Sequence, residues 1–414
     1  MHLKYRDLAD AFHQVVELFH TGRALVEKTP SRYGDCIYHP EPITITYHNP
    51  KARVLLNPAR DCNPFFHLYE ALWMLAGRND VAPLQYYVKR MAEFSDDGMT
   101  FNGAYGYRWR RYMIEDGNAD YVSKHGGMLE PPTYVDQLQV IINHLRANPH
   151  SRRAVLSMWN VGGDLLRIDN SKDVCCNLVV MFALRTDPVC PTCKGNWTPE
   201  RAAELDESPF TCPNCVGDPD NIFLPNRWLD MTVVNRSNDM IWGLFGANYV
   251  HFTFLQEYLA AHLGVQVGKY HHVTNNLHAY TNNWNPEEWL ESGRDVQAIQ
   301  NLASDTSKNH VPLVHNWTVF DRELKDFVDI NQNPTERSVE MIDSLNWDEP
   351  FFRTVAQPMF SAFHHYKLGS PATQVRKRIL QIKDFAWKIA ATMWTETRYK
   401  RVVNASTRED QTQP

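Results

Sequence analysis

The chain has 414 residues, 43% of them apolar and 12% aromatic, which is enough for a large core and too much for a disordered polymer. Its 42 basic residues against 48 acidic ones give a net charge of −6, so no global attraction draws it to nucleic acid. No apolar run reaches the roughly 18 residues of a membrane span, and Asp7, Asp10 and Glu17 are unlike a transit peptide, so a globular cytoplasmic protein is expected.

In chain order, Leu8, Phe12, Val15, Val16 and Phe19 recur on one helical face, and Gly22 follows as a stop. Ile43 to Tyr47 alternates as a strand does, within a β-branched stretch from Cys36 to Leu56. Phe65 to Ala76 is strongly apolar and closed by Gly77, so it reads as a buried helix. Glu70 sits inside it among Leu68, Leu72 and Trp73, where a carboxylate needs a hydrogen-bond partner. Residues 94–130 carry the turn signals Asp96-Asp97-Gly98, Asn102-Gly103 and Gly126-Gly127 and read as loop-rich. Val135 to Leu145 is predicted helical; Ala154 to Trp159, Cys176 to Leu184 and Leu229 to Val234 are predicted strands. A long helix, Tyr249 to Leu263, ends at Gly264 and leads to a strand near Val265 to Val273. Gln374 to Thr397 is the clearest later helix, and the polar tail Ser406 to Pro414 is expected to be mobile. Nothing divides the chain, so residues 1–414 read as one elaborated α+β domain.

Cys190-Pro-Thr-Cys193 and Cys212-Pro-Asn-Cys215 are two CxxC pairs eighteen residues apart, a spacing that suits one tetrahedral structural zinc. Disulfides are the competing reading, but they usually accompany secretion. Four protein ligands leave no open position, so the metal would hold structure only. The pairs fall in a zinc-ribbon-like insert, residues 188–218, between two predicted strands. Between Cys190 and Cys215, Lys194 and Arg201 face Glu200, Glu204, Asp206 and Glu207, which leaves no phosphate-binding surface for nucleic acid.

Polar candidates for chemistry lie elsewhere. In Asn235-Arg-Ser-Asn-Asp239, Arg236 and Ser237 can offer a phosphate a planar fork and a hydroxyl, although a capped turn explains so short a motif equally. Arg152 and Arg153 open a predicted strand and point to opposite faces, so at a dimer boundary one could reach a neighbouring subunit's ligand. Solvated arginines are the plain alternative. Cys176 is either an inert buried thiol or, facing an arginine-lined pocket, a thiolate nucleophile. His278 and Tyr280 alternate to one side and could bind a sugar hydroxyl; an ordinary polar strand face would look the same. No GxGxxG or GxxxxGKS/T phosphate loop occurs.

Taken together, SRRAVLSMWN (151–160), VCCN (174–177), LDMTVVNRSND (229–239), the Asn248 region and NNLHAY (275–280) resemble thymidylate synthase and its relatives, the pyrimidine-nucleotide hydroxymethylases. LYEALWMLAG (68–77) and NGAYGYRW (102–109) extend the match, which covers most of residues 60–285; residues 285–414 read as a C-terminal helical extension. The resemblance implies an α+β fold with a mixed β-sheet, flanking helices and a homodimer formed through the sheet. It implies that Cys176, rather than Cys175, attacks C6 of a pyrimidine nucleoside monophosphate, because the polar Asn177 follows it where the family usually has His. Arg236 and Ser237 would hold the 5′-phosphate, with Arg152 and Arg153 reaching in from the partner subunit and Arg32 supplied by a mobile loop. His278 and Tyr280 would bind the ribose 3′-hydroxyl. Glu70 and Tyr105 would organise water and protons, and Asp239 would contact the pterin of 5,10-methylenetetrahydrofolate. Asn248 would donate to O4 and accept from N3–H of uracil, a pattern that cytosine reverses. The segment Gly243 to Asn248 is one residue longer than the family's turn and lacks its Pro-Phe.

The resemblance leaves two products open. Hydride transfer to the C5 methylene gives a methyl group and needs water excluded; water gives a hydroxymethyl group. The family's two tryptophans ahead of the Tyr105 motif have no counterpart in Lys89 to Phe94, and its short apolar C-terminus is replaced by a long polar extension. Hydroxymethylation of dUMP is therefore favoured, a precursor chemistry of viruses with modified DNA, so the cytoplasm would be that of an infected cell. Reductive methylation of dUMP and hydroxymethylation of dCMP are the alternatives within the family, and an inactive nucleotide-binding module is the alternative outside it.

Overall fold

A computed structural model of the chain describes residues 1–31, 34–114, 133–169, 171–189, 224–308, 310–330, 340–341 and 343–410. Twelve strands run through the described residues: β1 (His2–Tyr5), β2 (Glu27–Thr29), β3 (Cys36–Tyr38), β4 (Ile43–Tyr47), β5 (Tyr112–Ile114), β6 (Thr133–Val135), β7 (Val155–Ser157), β8 (Asn177–Val189), β9 (Leu224–Asn235), β10 (Asn238–Asp239), β11 (Gln266–Thr274) and β12 (Leu277–Tyr280). Six of them form the main sheet in the order β1-β4-β11-β9-β8-β7. Neighbours β1/β4 and β11/β9 are parallel and the other pairs antiparallel, so the sheet is mixed, as expected.

Alternation decides which face of this sheet is covered. Ile45, Tyr47, Val180, Phe182, Met231, Val233, Tyr270 and His272 are buried. The helices Pro64–Leu75 and Ala247–Leu263 pack on one another, and the second also packs on β9 and β11. From Tyr249 to Ala260 every residue of that second helix is buried, as a helix apolar all round must be. Its polar side chains are paired: Gln256 Nε2 donates to Leu229 O at 2.8 Å and Lys269 O at 3.0 Å, and Glu257 meets Arg53. On the opposite face the partners Val155 and Met181 stay 43% and 38% exposed.

A second sheet, in the order β10-β12-β3-β2, sets the segment after β9 beside β12. The hairpin β8–β9 runs out to Val189 opposite Leu224. Cys190, Cys193, Cys212 and Cys215 themselves lie outside the described residues, as does Arg32.

Within the loop-rich stretch after residue 94, Tyr105–Arg110 is a helix whose Gly106 lies so close to the Pro64–Leu75 helix that an added Cβ would stand 1.9 Å from Met74 O. One expectation needs correction. Gln374 to Thr397 is two helices, Ala372–Ile379 and Phe385–Asp410. Between them Ile382 is fully buried and Asp384 caps the second, accepting from Trp387 N at 3.2 Å; a continuous helix could not do both. The last helix also continues through Ser406 to Asp410.

Candidate active site

The site assembles where β8 begins, β9 ends and β12 passes. Arg236 N donates to Cys176 O at 2.9 Å, so the candidate nucleophile and the candidate phosphate ligand are joined through the backbone. The Arg236 guanidinium donates to Cys175 O and Val174 O, both at 2.9 Å, and lies 5.9 Å from the Trp159 ring. It therefore braces the segment that presents Cys176.

The two adjacent thiols differ in environment. Cys175 is 1% exposed, its Sγ donates to Asn177 O at 3.0 Å, and burial pushes its thiol far above the usual range. Cys176 is half-buried. Asn177 is fully buried and turned into the sheet, donating to Asn235 Oδ1 at 2.8 Å and Val234 O at 3.1 Å beside the register shift between Asn177 and Val179. A bulge there re-aims the strand just after the cysteine.

Ser237, Asp239 and His278 converge because β10 and β12 pair in parallel with Asp239 opposite His278. Ser237 Oγ is 3.4 Å from His278 Nδ1, and the His278 and Tyr280 rings stand perpendicular with centroids 5.5 Å apart. Both face the partly exposed side of β12, as alternation predicts, while Leu277 and Ala279 are buried. Asp239 caps the turn Met240–Leu244 with Oδ1, accepting from Ile241 N at 2.8 Å and from Trp242 N. Its Oδ2 is buried with no partner among the described residues, and burial raises its pKa.

That turn is a π-turn, with Phe245 N donating to Met240 O at 3.0 Å. One extra residue per turn is what such a bulge absorbs, which accounts for the added length before Asn248. Gly243 is required there, since a Cβ would stand 2.2 Å from Asn238 Oδ1 and 3.0 Å from Asn248 Nδ2.

Tyr105 stacks on Phe252, centroids 5.8 Å apart. Burial first, then Cys176, Cys175 and Asp173, hold its phenol well above its ordinary pKa, against Arg236. The hydroxyl thus stays protonated and able to donate. Glu70 is buried in its helix and has the partner its burial demanded: His251 Nε2, 2.9 Å from Oε2. Arg152 and Arg153 are exposed and precede β7 rather than lying on it, so strand alternation does not orient them.

Several residues at the site were assigned no role from the sequence, although Arg108 and Asn238 lie within quoted motifs. Arg108 and Asp164 form a buried ion pair, and Asp164 Oδ1 accepts from Cys175 N at 3.3 Å, fixing the approach to Cys176. Asn238 links Asn248 to His272, and His251 holds Glu70. His251 left a different trace, as a titratable residue within a run of apolar helix. Among the described residues, no group of three or more His, Cys, Asp or Glu could hold a metal, and no helix is long and apolar enough to cross a membrane.

The sequence profile named Thymidylate synthase matches residues 44–342, beyond the stretch whose motifs carry the resemblance. A protein of Pseudomonas phage M6 named deoxyuridylate hydroxymethyltransferase is 35% identical over 377 residues, 89% of this chain and 87% of that one. Its namesake in Bacillus phage SP01 is 32% identical over 284 residues, 69% of this chain and 59% of its own. With the profile covering well over half of its length, the chain belongs to the thymidylate synthase family.

Proposed function

We propose that the protein hydroxymethylates dUMP at C5, producing 5-hydroxymethyl-dUMP with 5,10-methylenetetrahydrofolate as one-carbon donor. The observation that carries this reading is that Arg236, through its backbone N–H to Cys176 O and its guanidinium on Cys175 O and Val174 O, braces the segment that carries a half-buried thiol. The relatives named deoxyuridylate hydroxymethyltransferase support the choice of product and base.

Cys176 attacks C6, which makes C5 nucleophilic and splits a difficult substitution into two steps. Charge grows on O4, where Asn248 donates, and the same amide accepts from N3–H. Arg236 and Ser237 hold the 5′-phosphate, and His278 and Tyr280 the 3′-hydroxyl. The folate carrier supplies a one-carbon unit when bound. Asp239 Oδ2, without a partner among the described residues, and Trp242, 60% exposed three residues on, suit the polar edge and flat face of a pterin. Glu70 and Tyr105 manage the water and proton traffic.

The working unit is a homodimer joined through the open face of the main sheet, with Arg152 and Arg153 completing the partner's phosphate site. The two CxxC pairs hold one structural zinc, a reading that rests on their spacing in the sequence. One zinc per chain by elemental analysis, lost with the four cysteines, is the expected result. The place of action is the cytoplasm of an infected cell, a reading supported by relatives that come from phages.

The deciding experiment incubates the protein with dUMP and methylenetetrahydrofolate and weighs the nucleotide. Addition of CH2O is expected. Addition of CH2 with dihydrofolate formation would make the protein a methylating enzyme instead.

A further inference from the structure

Glu70 projects from the Pro64–Leu75 helix and His251 from the helix packed against it. Both are buried, 6% and 2% exposed, with His251 Nε2 2.9 Å from Glu70 Oε2. An ionised carboxylate only accepts, so Nε2 carries the hydrogen. Nδ1 is buried with no partner among the described residues. His251 follows Asn248 by three residues at the start of its helix, which puts the imidazole on the same helical face as the amide that reads the base. Tyr105 closes the cluster by stacking on Phe252, the next residue along.

A carboxylate in such surroundings is a weak hydrogen-bond site for substrate but a well-placed base. Burial strips it of water, and one donated N–H fixes its rotamer. Water needs such a group, because it is a poor nucleophile unless its proton leaves as the carbon–oxygen bond forms.

We propose that His251 is a positioning residue that holds Glu70 as the base for the water attacking the C5 methylene of the nucleotide. This deepens, and rests on, the hydroxymethyl reading above. The water oxygen bonds to the exocyclic carbon and its proton passes to Glu70. The π pair of the methylene moves onto O4 as an enolate, then returns to form C5=C6 and expel the Cys176 thiolate. The protons lost from C5 and from water are balanced by the two N–H groups of the released folate.

The test compares His251→Leu with His251→Gln, which keeps an N–H donor. Production of 5-hydroxymethyl-dUMP is followed across pH, and dUMP affinity is measured by calorimetry. In His251→Leu, kcat should fall at least about tenfold and its acidic limb should move, with dUMP affinity unchanged within about twofold. His251→Gln should recover most of the rate. A His251→Leu protein that binds dUMP and turns over with the parent's rate and pH profile overturns the proposal alone, as does a Gln variant no better than Leu. Absence of 5-hydroxymethyl-dUMP from the wild-type reaction overturns the proposed function as well.

Discussion

Asn248 donates its side-chain N–H to Asn238 Oδ1 at 3.4 Å, and that contact sets which way the Asn248 amide points. With Asn238 Oδ1 accepting, its Nδ2 must donate to His272 Nε2 at 3.0 Å. Burial lowers the His272 pKa to about 3, so the ring is neutral and its proton lies on Nδ1, towards Tyr270. Asn248 keeps one N–H and its oxygen free of this network, the pair that the proposed reading assigns to O4 and N3–H of uracil. Asn248→Asp is therefore expected to shift preference from dUMP to dCMP in paired kcat/KM measurements; an unchanged ratio would remove Asn248 from base selection. Asn238→Leu, which frees the amide to turn, should raise KM for dUMP about tenfold, or ~1.4 kcal/mol.

The two adjacent cysteines separate cleanly by substitution. Cys176→Ser should abolish turnover and keep dUMP binding, because the nucleophile is lost while the phosphate ligands stay. Cys175→Ala should keep catalysis, since that thiol is buried and bonded to Asn177 O. It removes one small buried group and should cost stability by about 1 kcal/mol. Paired activity and urea-denaturation measurements read both, and an inactive but folded Cys175→Ala would reverse the assignment.

How legible this was depends on whether a residue acts through a local pattern. The strands β8, β9 and β11 and the long buried helix were readable because alternation and apolar runs are local. The phosphate and sugar residues travelled in short motifs on those strands. The break at residues 380–384 was not readable, because the reason for it, burial of Ile382, lies in distant packing. His251 with Glu70, and Asn238 with Asn248 and His272, escaped for the same reason: the Glu70–His251 bond joins residues 181 positions apart. A buried carboxylate announces that it needs a donor, but not which one.

The open face of the main sheet gives a test of assembly. Val155 and Met181 are cross-strand partners there and both stay exposed. Met181→Asp should yield a monomer by light scattering and lose activity, although Cys176 and Arg236 are untouched. Mixing Cys176→Ser chains with chains lacking Arg152 and Arg153 should restore about a quarter of the activity, because half of the dimers form one intact site in two. No recovery on mixing would mean that the arginines serve their own subunit.

His310 ties the C-terminal helices to the core. Its Nε2 is 3.3 Å from Glu257 Oε1 on the central helix, and its Nδ1 is 3.1 Å from Asp384 Oδ2 at the cap of the last helix. Burial alone would lower its pKa, and so would Arg53, but Glu257 and Asp384 outweigh both and raise it above the usual 6.5. A raised histidine pKa means that the folded state binds the proton more tightly than the unfolded one. The stabilisation is complete below the ordinary value and is lost as pH climbs through the raised one. Urea midpoints should therefore fall as pH rises from 6.5 upwards. His310→Gln should flatten that dependence and be less stable at pH 6 by on the order of 1–2 kcal/mol, the scale of hydrogen bonds to charged groups. Glu257→Gln removes the partner of both Arg53 and His310 and should cost more, about 3 kcal/mol, because a buried guanidinium loses its counter-charge. A wild-type midpoint that holds steady over this pH range would mean that His310 gains no proton on folding.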